Sequence, residues 1–287
     1  MGDEFKYVKY GDPDYPVNLL HIADFPKILF YKGNLSIANS RCVAIAGSRR
    51  TTQYGRSVAE SIGRRLAEKN ITVVSGMARG IDTCAHMGAL ESGGNTIAVL
   101  GCGIDVCYPR ENNKLKEKIE KNGLVLSEYP PGTEPRKYYF PQRNRIISGL
   151  SEAAVIVQAG TKSGALITAE YAIEQGKEVF SVPGNIDSRY NLGNNKLIKE
   201  GATPLVNIED ILEHLGVGGY TREQAEMVLG ELELQIYDLL MNYGELSIDD
   251  ICRSLSLSPA YVGSIVSVME LKGIVMSALG KIFIANS

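Results

Sequence analysis

Cys42-Val43-Ala44-Ile45-Ala46-Gly47-Ser48-Arg49-Arg50 is a run of five apolar residues that ends abruptly in a glycine, a hydroxyl and two cations. A strand with no polar side has to be covered on both faces, the signature of a buried parallel sheet. Downstream, residues 55–69 place Val58, Ile62 and Leu66 on one helical face. The same alternation then repeats. Strands are expected at residues 71–74, 96–100, 124–126, 153–157 and 178–182, with helices at 81–90, 112–121, a segment ending near Leu150, and 165–175. Apolar strands alternating with amphipathic helices predict an α/β fold, a Rossmann-like and mostly parallel sheet with helices on both faces.

Such sheets bind ligands at the carboxyl ends of their strands. Here those ends read Gly47-Ser48-Arg49-Arg50, Ser75-Gly76-Met77-Ala78-Arg79-Gly80, Gly101-Cys102-Gly103 and Lys162-Ser163-Gly164. Tight turns use glycine in any case, but that does not explain Arg49, Arg50, Arg79, Arg110 and Lys162 on one rim. Gly47, Ser48 and Arg49 follow a strand and precede a helix, so their amides and the helix N-terminus can hold an anion. Lys162, Ser163 and Gly164, leading into a helix that carries Thr168, repeat that arrangement as a second wall. Neither loop is GxGxxG or GxxxxGK[ST], and the second strand ends in Val74-Ser75-Gly76 with no acid for a ribose. No dinucleotide or other cofactor is expected.

Pro135-Arg136-Lys137-Tyr138-Tyr139-Phe140-Pro141-Gln142-Arg143-Asn144-Arg145 adds four cations and three aromatic rings without an acid. Cations bind phosphates and ring faces stack on bases, the chemistry of a single-stranded nucleic-acid groove. Arg136, Lys137, Phe140, Arg143 and Asn144 are its candidate contacts. No GxSxG or HExxH occurs, and Ser163 has no visible base. Asp82, Asp105, Glu128 and Asp187 are scattered near strand ends, where acids often cap. The five cysteines form no CxxC pair, and His21, His86 and His214 lack metal spacing; His86 reads as packing or capping. No metal site or catalytic residue is expected.

At 287 residues the chain has room for a large and a small domain. Its mean hydropathy is -0.06, and no apolar run nears the ~18 residues that span a bilayer. With no apolar signal core after Met1, a cytoplasmic protein without a membrane partner is expected. A net charge of -3 and a pI near 5.8 argue against a coat for duplex DNA but leave room for a local basic groove. Residues 1–40 are expected to be an extension packed on the main domain, 41–213 the Rossmann-like domain, 214–232 a glycine-rich linker, and 233–287 a winged-helix domain of three helices and a hairpin. The third of those helices, around residues 259–271, contains no cation. It would bind duplex DNA poorly, which leaves a protein-contact or regulatory role at least as well founded as a DNA-reading one.

Taken together, these segments resemble the DNA-processing protein A family (DprA, also called Smf). The matching text includes Tyr15-Pro16, Leu29-Phe30-Tyr31-Lys32-Gly33, Ala46-Gly47-Ser48-Arg49, Ser75-Gly76-Met77-Ala78-Arg79-Gly80-Ile81-Asp82 and Tyr108-Pro109. It continues in Ser127-Glu128-Tyr129-Pro130, Phe140-Pro141-Gln142-Arg143-Asn144-Arg145, Ser163-Gly164-Ala165-Leu166-Ile167-Thr168 and Gly193-Asn194-Asn195-Lys196. The resemblance spans about residues 15–213 and again the C-terminal unit. It implies an extended Rossmann domain that binds single-stranded DNA, forms a homodimer and helps load the recombinase RecA in natural transformation, with no established catalytic reaction. It also implies a phosphate contact at Arg49, bordered by Phe140, Arg143 and Asn144 and by Lys162, Ser163 and Gly164.

This chain departs from the family pattern in three places. Fourteen residues precede Tyr15, so the small helical domain that opens many members is expected to be absent. Gln158 stands where many have glutamate, and Glu170 where many have arginine, which would put an acid near the groove. Two other readings stay open: a hydrolase of the related phosphoribohydrolase superfamily, and a protein-interaction scaffold. Gln158-Ala159-Gly160-Thr161-Lys162-Ser163-Gly164 lacks the proline and the acid of the hydrolase loop.

Overall fold

Each of the expected apolar runs forms a strand. The computed structural model describes residues 5–217 and 228–284. Its elements are β1 (Lys6–Lys9), β2 (Ile28–Gly33), β3 (Cys42–Ala46), α1 (Gln53–Glu68), β4 (Thr72–Ser75), α2 (Ile81–Glu91), β5 (Thr96–Leu100), α3 (Asn113–Asn122) and β6 (Leu124–Ser127). They continue as α4 (Tyr139–Leu150), β7 (Ala153–Ile156), α5 (Ala165–Glu174), β8 (Glu178–Ser181), α6 (Leu192–Lys199), β9 (Thr203–Pro204) and α7 (Glu209–His214). The chain divides into two compact units, Met1–Ile211 and Leu212–Ser287. The linker expected at 214–232 falls largely on residues 218–227, outside the described residues.

The first unit is built on a nine-stranded sheet in the order β1-β2-β6-β5-β4-β3-β7-β8-β9. Every pairing from β6 to β9 is parallel, whereas β2 joins β6 and β1 joins β2 antiparallel. The α/β expectation is met. The sequence reading places no strand before residue 41 and no helix at α6; both are short or half-exposed, so their periodicity is weak.

Ala44, Ala46, Val74, Ile97, Val99, Leu124 and Leu126 face a core closed by Ile146, Ile147 and Leu150 of α4 and Ala165, Ala169 and Ala172 of α5. The alternate residues Ala98, Leu100 and Val125 face the opposite way, onto Leu115 and Ile119 of α3. Side-chain period two thus produces two cores, one on each side of the sheet. From β3 the chain works outward through β4, β5 and β6, then returns to β7 on β3's other side. The strand order therefore reverses between β3 and β7, and their carboxyl ends splay apart into a crevice.

The second unit contains α8 (Glu231–Tyr243), β10 (Glu245–Leu246), α9 (Ile248–Leu255), α10 (Pro259–Leu271), β11 (Val275–Ala278) and β12 (Lys281–Ile284). Ser247 and Asp250 cap α9 reciprocally, and β10, β12 and β11 form one antiparallel sheet. Ile236, Tyr237 and Leu240 pack with Ile251, Val262, Val266, Met269 and Ile282 in a core of their own.

Candidate nucleic-acid interface

The loop after β3 is laid down by short local bonds. A Cβ on Gly47 would overlap the side chain of Ile81, the first residue of α2, so only glycine lets the backbone pass. Ser48 donates its amide to the Gln158 carbonyl at 2.6 Å. Its hydroxyl donates to the Arg50 carbonyl at 2.7 Å and accepts the Arg50 amide at 3.1 Å. With the backbone held in this way, Arg49 and Arg50 project outward and are exposed. Behind the loop, the buried Gln158 side chain accepts from the Thr51 hydroxyl at 2.7 Å and from the Thr52 amide at 2.9 Å, just where Thr52 caps α1.

This loop forms one side of a cleft of about 760 Å³ over the reversal point. Gly47, Ser48 and Arg49 meet Lys162, Ser163, Gly164 and Thr168 across it, and Lys137, Phe140, Arg143 and Asn144 close the third side. Asn144 ties two of these sides together by donating to the Gly164 carbonyl at 3.3 Å. Phe140 is half-buried; the Arg49 guanidinium lies 5.4 Å from its ring centroid and Tyr108 lies 5.3 Å away on another side.

The floor is different in kind. Arg143 is buried and gives its donors to the carbonyls of Gly76 and Val99 and to the side chain of Asn144. Burial pulls its guanidinium down to about 10, partly offset by Asp82. Burial likewise pushes the Asp82 carboxyl up, opposed by Arg143 and by the amides of Ala78 and Gly76. Between the two sits Gly76, where a Cβ would lie 2.6 Å from an Arg143 nitrogen and 2.8 Å from an Asp82 oxygen. The next residue, Met77, is held at φ +61° with its side chain buried, a strained conformation for an unbranched L-residue. Arg143 therefore shapes the floor more than it offers charge.

The structure breaks up the basic-aromatic stretch. Lys137 and Phe140 reach the cleft, but Arg136 does not: its guanidinium donates to the Tyr138 hydroxyl at 2.9 Å and lies over the Tyr139 ring, away from the lining. Tyr139 in turn packs on Tyr129 with centroids 4.1 Å apart. Arg145 is buried in a two-pronged ion pair with Glu128 at 2.7 and 2.9 Å and also pairs with Asp24. Glu170 is corrected as well: it points into a separate hollow beside Leu166, Lys196 and Glu200 and does not line the cleft.

Sequence reasoning missed Arg189 and Tyr190, which line the cleft from the loop after β8. Their adjacency, a cation and a ring at the end of a parallel strand, was the available signal; the guanidinium lies 5.1 Å from the Tyr190 ring. Arg49, Arg50, Lys137, Lys162 and Arg189 are exposed, and none makes an ion pair among the described residues. The lining holds one acid, the buried Asp82. The cleft is thus a concave surface of unpaired cations around an aromatic ring. Among the described residues no group of three His, Cys, Asp or Glu side chains could hold a metal, and no single helix is long and apolar enough to cross a membrane.

Residues 6–216 match the family model described as DNA recombination-mediator protein A. DNA processing protein DprA of Streptococcus pneumoniae is 46% identical over 201 residues, covering 70% of this chain and 71% of that one. Its Bacillus subtilis counterpart is 45% identical over 209 residues, covering 72% and 70%. Among solved structures, the Streptococcus pneumoniae DprA aligns with a TM-score of 0.71 at 44% identity over 74% of each chain. DNA processing protein A of Helicobacter pylori, solved in work on its single-stranded DNA binding mode, aligns with a TM-score of 0.67 at 33% identity, covering 75% of this chain and 98% of that one.

Proposed function

The chain belongs to the DNA recombination-mediator protein A family, and we propose that it binds single-stranded DNA in the cleft between the β3 and β7 loops. The observation that carries this reading is the set of unpaired cations, Arg49, Arg50, Lys137, Lys162 and Arg189, gathered around Phe140. Phosphates lie on the side chains of Arg49 and Lys162, because the Ser48 and Ser163 amides already donate to the Gln158 and Gly160 carbonyls, and a base stacks on Phe140. A concave pocket suits a splayed nucleotide and excludes one paired in a duplex. The Helicobacter pylori relative, with its single-stranded DNA binding mode, supports the same ligand.

In the cell, the protein acts in the cytoplasm as a homodimer that protects incoming or recombining single strands and helps load RecA. This part rests on the family resemblance. The order of helices and strands over 231–284 supports a winged-helix domain, and the absence of cations on α10 supports a protein contact over a DNA contact. The cleft works by binding, without a reaction. Its one lining acid is buried beneath Gly76 and engaged by backbone amides.

Fluorescence anisotropy of labelled oligo-dT, with a matched duplex, a salt series and the Arg49→Ala variant, tests this. Binding selective for the single strand, weakening with a log–log slope of about -0.7 per phosphate and collapsing in the variant, is expected. No binding at low salt sinks the reading. Release of a free base from a nucleoside monophosphate would turn it toward a hydrolase, and neither activity toward a scaffold. RecA filament assembly on the same oligonucleotide, with and without the protein, tests loading.

A further inference from the structure

A second hollow of about 520 Å³ opens beside the cleft and shares Arg49, Arg50, Gly76, Ala78 and Phe140 with it. Its own walls are Arg79, Tyr108, Pro109, Arg110 and Glu111, which contribute nothing to the first cleft. Tyr108 presents 43% of its surface to solvent, and its ring sits 5.3 Å from Phe140 at 38°. The two rings therefore stand side by side, Phe140 reaching both compartments and Tyr108 the second alone. Arg79 and Glu111 form an ion pair and largely cancel. That leaves Arg110, exposed and without an ion pair among the described residues, together with the shared Arg49 and Arg50, to make the hollow positive.

We propose that this hollow is the subsite for the neighbouring nucleotide of the same strand. The backbone crosses the saddle formed by Arg49 and Arg50, the next base stacks on Tyr108, and the next phosphate lies on Arg110. Continuity argues for a strand over a separate small anion: the two compartments share Arg49, Arg50 and Phe140, and the second adds a further ring, Tyr108, and a further cation, Arg110, the repeating unit of a single-strand groove. This inference rests on the reading of the first cleft as a single-stranded DNA site.

The test is a length series of oligo-dT, from the mononucleotide upward, against the wild type, Tyr108→Ala, Tyr108→Phe, Arg110→Ala and Arg49→Ala, with thermal melts to check folding. Wild-type affinity is expected to rise when the oligonucleotide grows long enough to enter the second compartment. Tyr108→Ala and Arg110→Ala should match the wild type on the shortest ligands and fall about tenfold behind on longer ones. Tyr108→Phe should keep the gain. Equal loss at every length would mean that Tyr108 only props Phe140, and equal affinity in all these variants would mean that the hollow is unused; either overturns the subsite while a collapse in Arg49→Ala leaves the first cleft standing. Failure of the wild type to bind any length overturns both.

Discussion

The Gln158 side chain holds Thr52 from two directions: its oxygen accepts the Thr52 amide at 2.9 Å, and its nitrogen donates to the Thr52 hydroxyl at 3.1 Å. The same nitrogen reaches Asn191, whose own amide nitrogen is buried without a partner among the described residues. A carboxylate at 158 would find donors in Thr51, Thr52 and a flipped Asn191, so Gln158→Glu should fold with little change in melting temperature. It would, however, set a negative charge beneath the Arg49 loop. At an effective dielectric near 20 that costs about 1 kcal/mol, or roughly fivefold in affinity at low salt. Anisotropy at two salt concentrations would show the loss and its partial recovery at high salt.

Phe140 is half-buried against Gly101 and Tyr108, so its removal leaves the main cores untouched. Phe140→Ala is expected to weaken oligo-dT binding by ~1–3 kcal/mol while the far-ultraviolet circular dichroism stays unchanged. Unaltered affinity in a folded variant would refute the stacking role.

Arg49 and Arg143 should separate affinity from stability. Arg143→Ala would strand the Gly76 and Val99 carbonyls and leave Asp82 without its opposing charge, at a cost of ~3–5 kcal/mol in denaturant unfolding. Arg49→Ala touches only exposed atoms and should leave stability within about 0.5 kcal/mol while abolishing tight binding.

His86 predicts an acid sensitivity. The Thr96 hydroxyl donates to the Val73 carbonyl, so His86 Nδ1 is the donor in its 2.6 Å bond to Thr96, and burial of the ring favours its neutral form. Burial lowers it from 6.5 to about 3. A group depressed on folding binds its proton preferentially when unfolded, so its contribution is intact above pH 6.5 and is lost as the pH falls toward 3, at up to about 1.4 kcal/mol per unit. Asp82, raised on folding, acts with the opposite sign at the acid end. Melting temperature against pH should flatten between pH 6.5 and about 4 in His86→Asn, whose side-chain amide keeps a donor toward Thr96.

Local chemistry made much of this protein readable from its residues alone. Runs such as Cys42–Ala46 and Ala153–Ile156 have no polar side, so burial on both faces, and with it the parallel sheet, follows without knowing any contact. The turns at Gly47-Ser48-Arg49 and Lys162-Ser163-Gly164 likewise mark anion sites, because each sets a cation at the carboxyl edge of the sheet, although the Ser48 and Ser163 amides are spent on backbone carbonyls. Strand order is not a local property. That β7 returns beside β3 brought those two turns face to face, and it drew in Arg189 and Tyr190 from the end of β8. Tertiary packing also sorted cations that the sequence presents as equals: Arg145 is spent on Glu128, Arg143 on backbone carbonyls and Arg136 on tyrosines, and Lys137 is left to the cleft. Whether a charge is spent or available depends on which partners the fold delivers to it: for Arg143 these lie 67 and 44 residues away and for Arg145 17, while Arg136 turns onto its own neighbours.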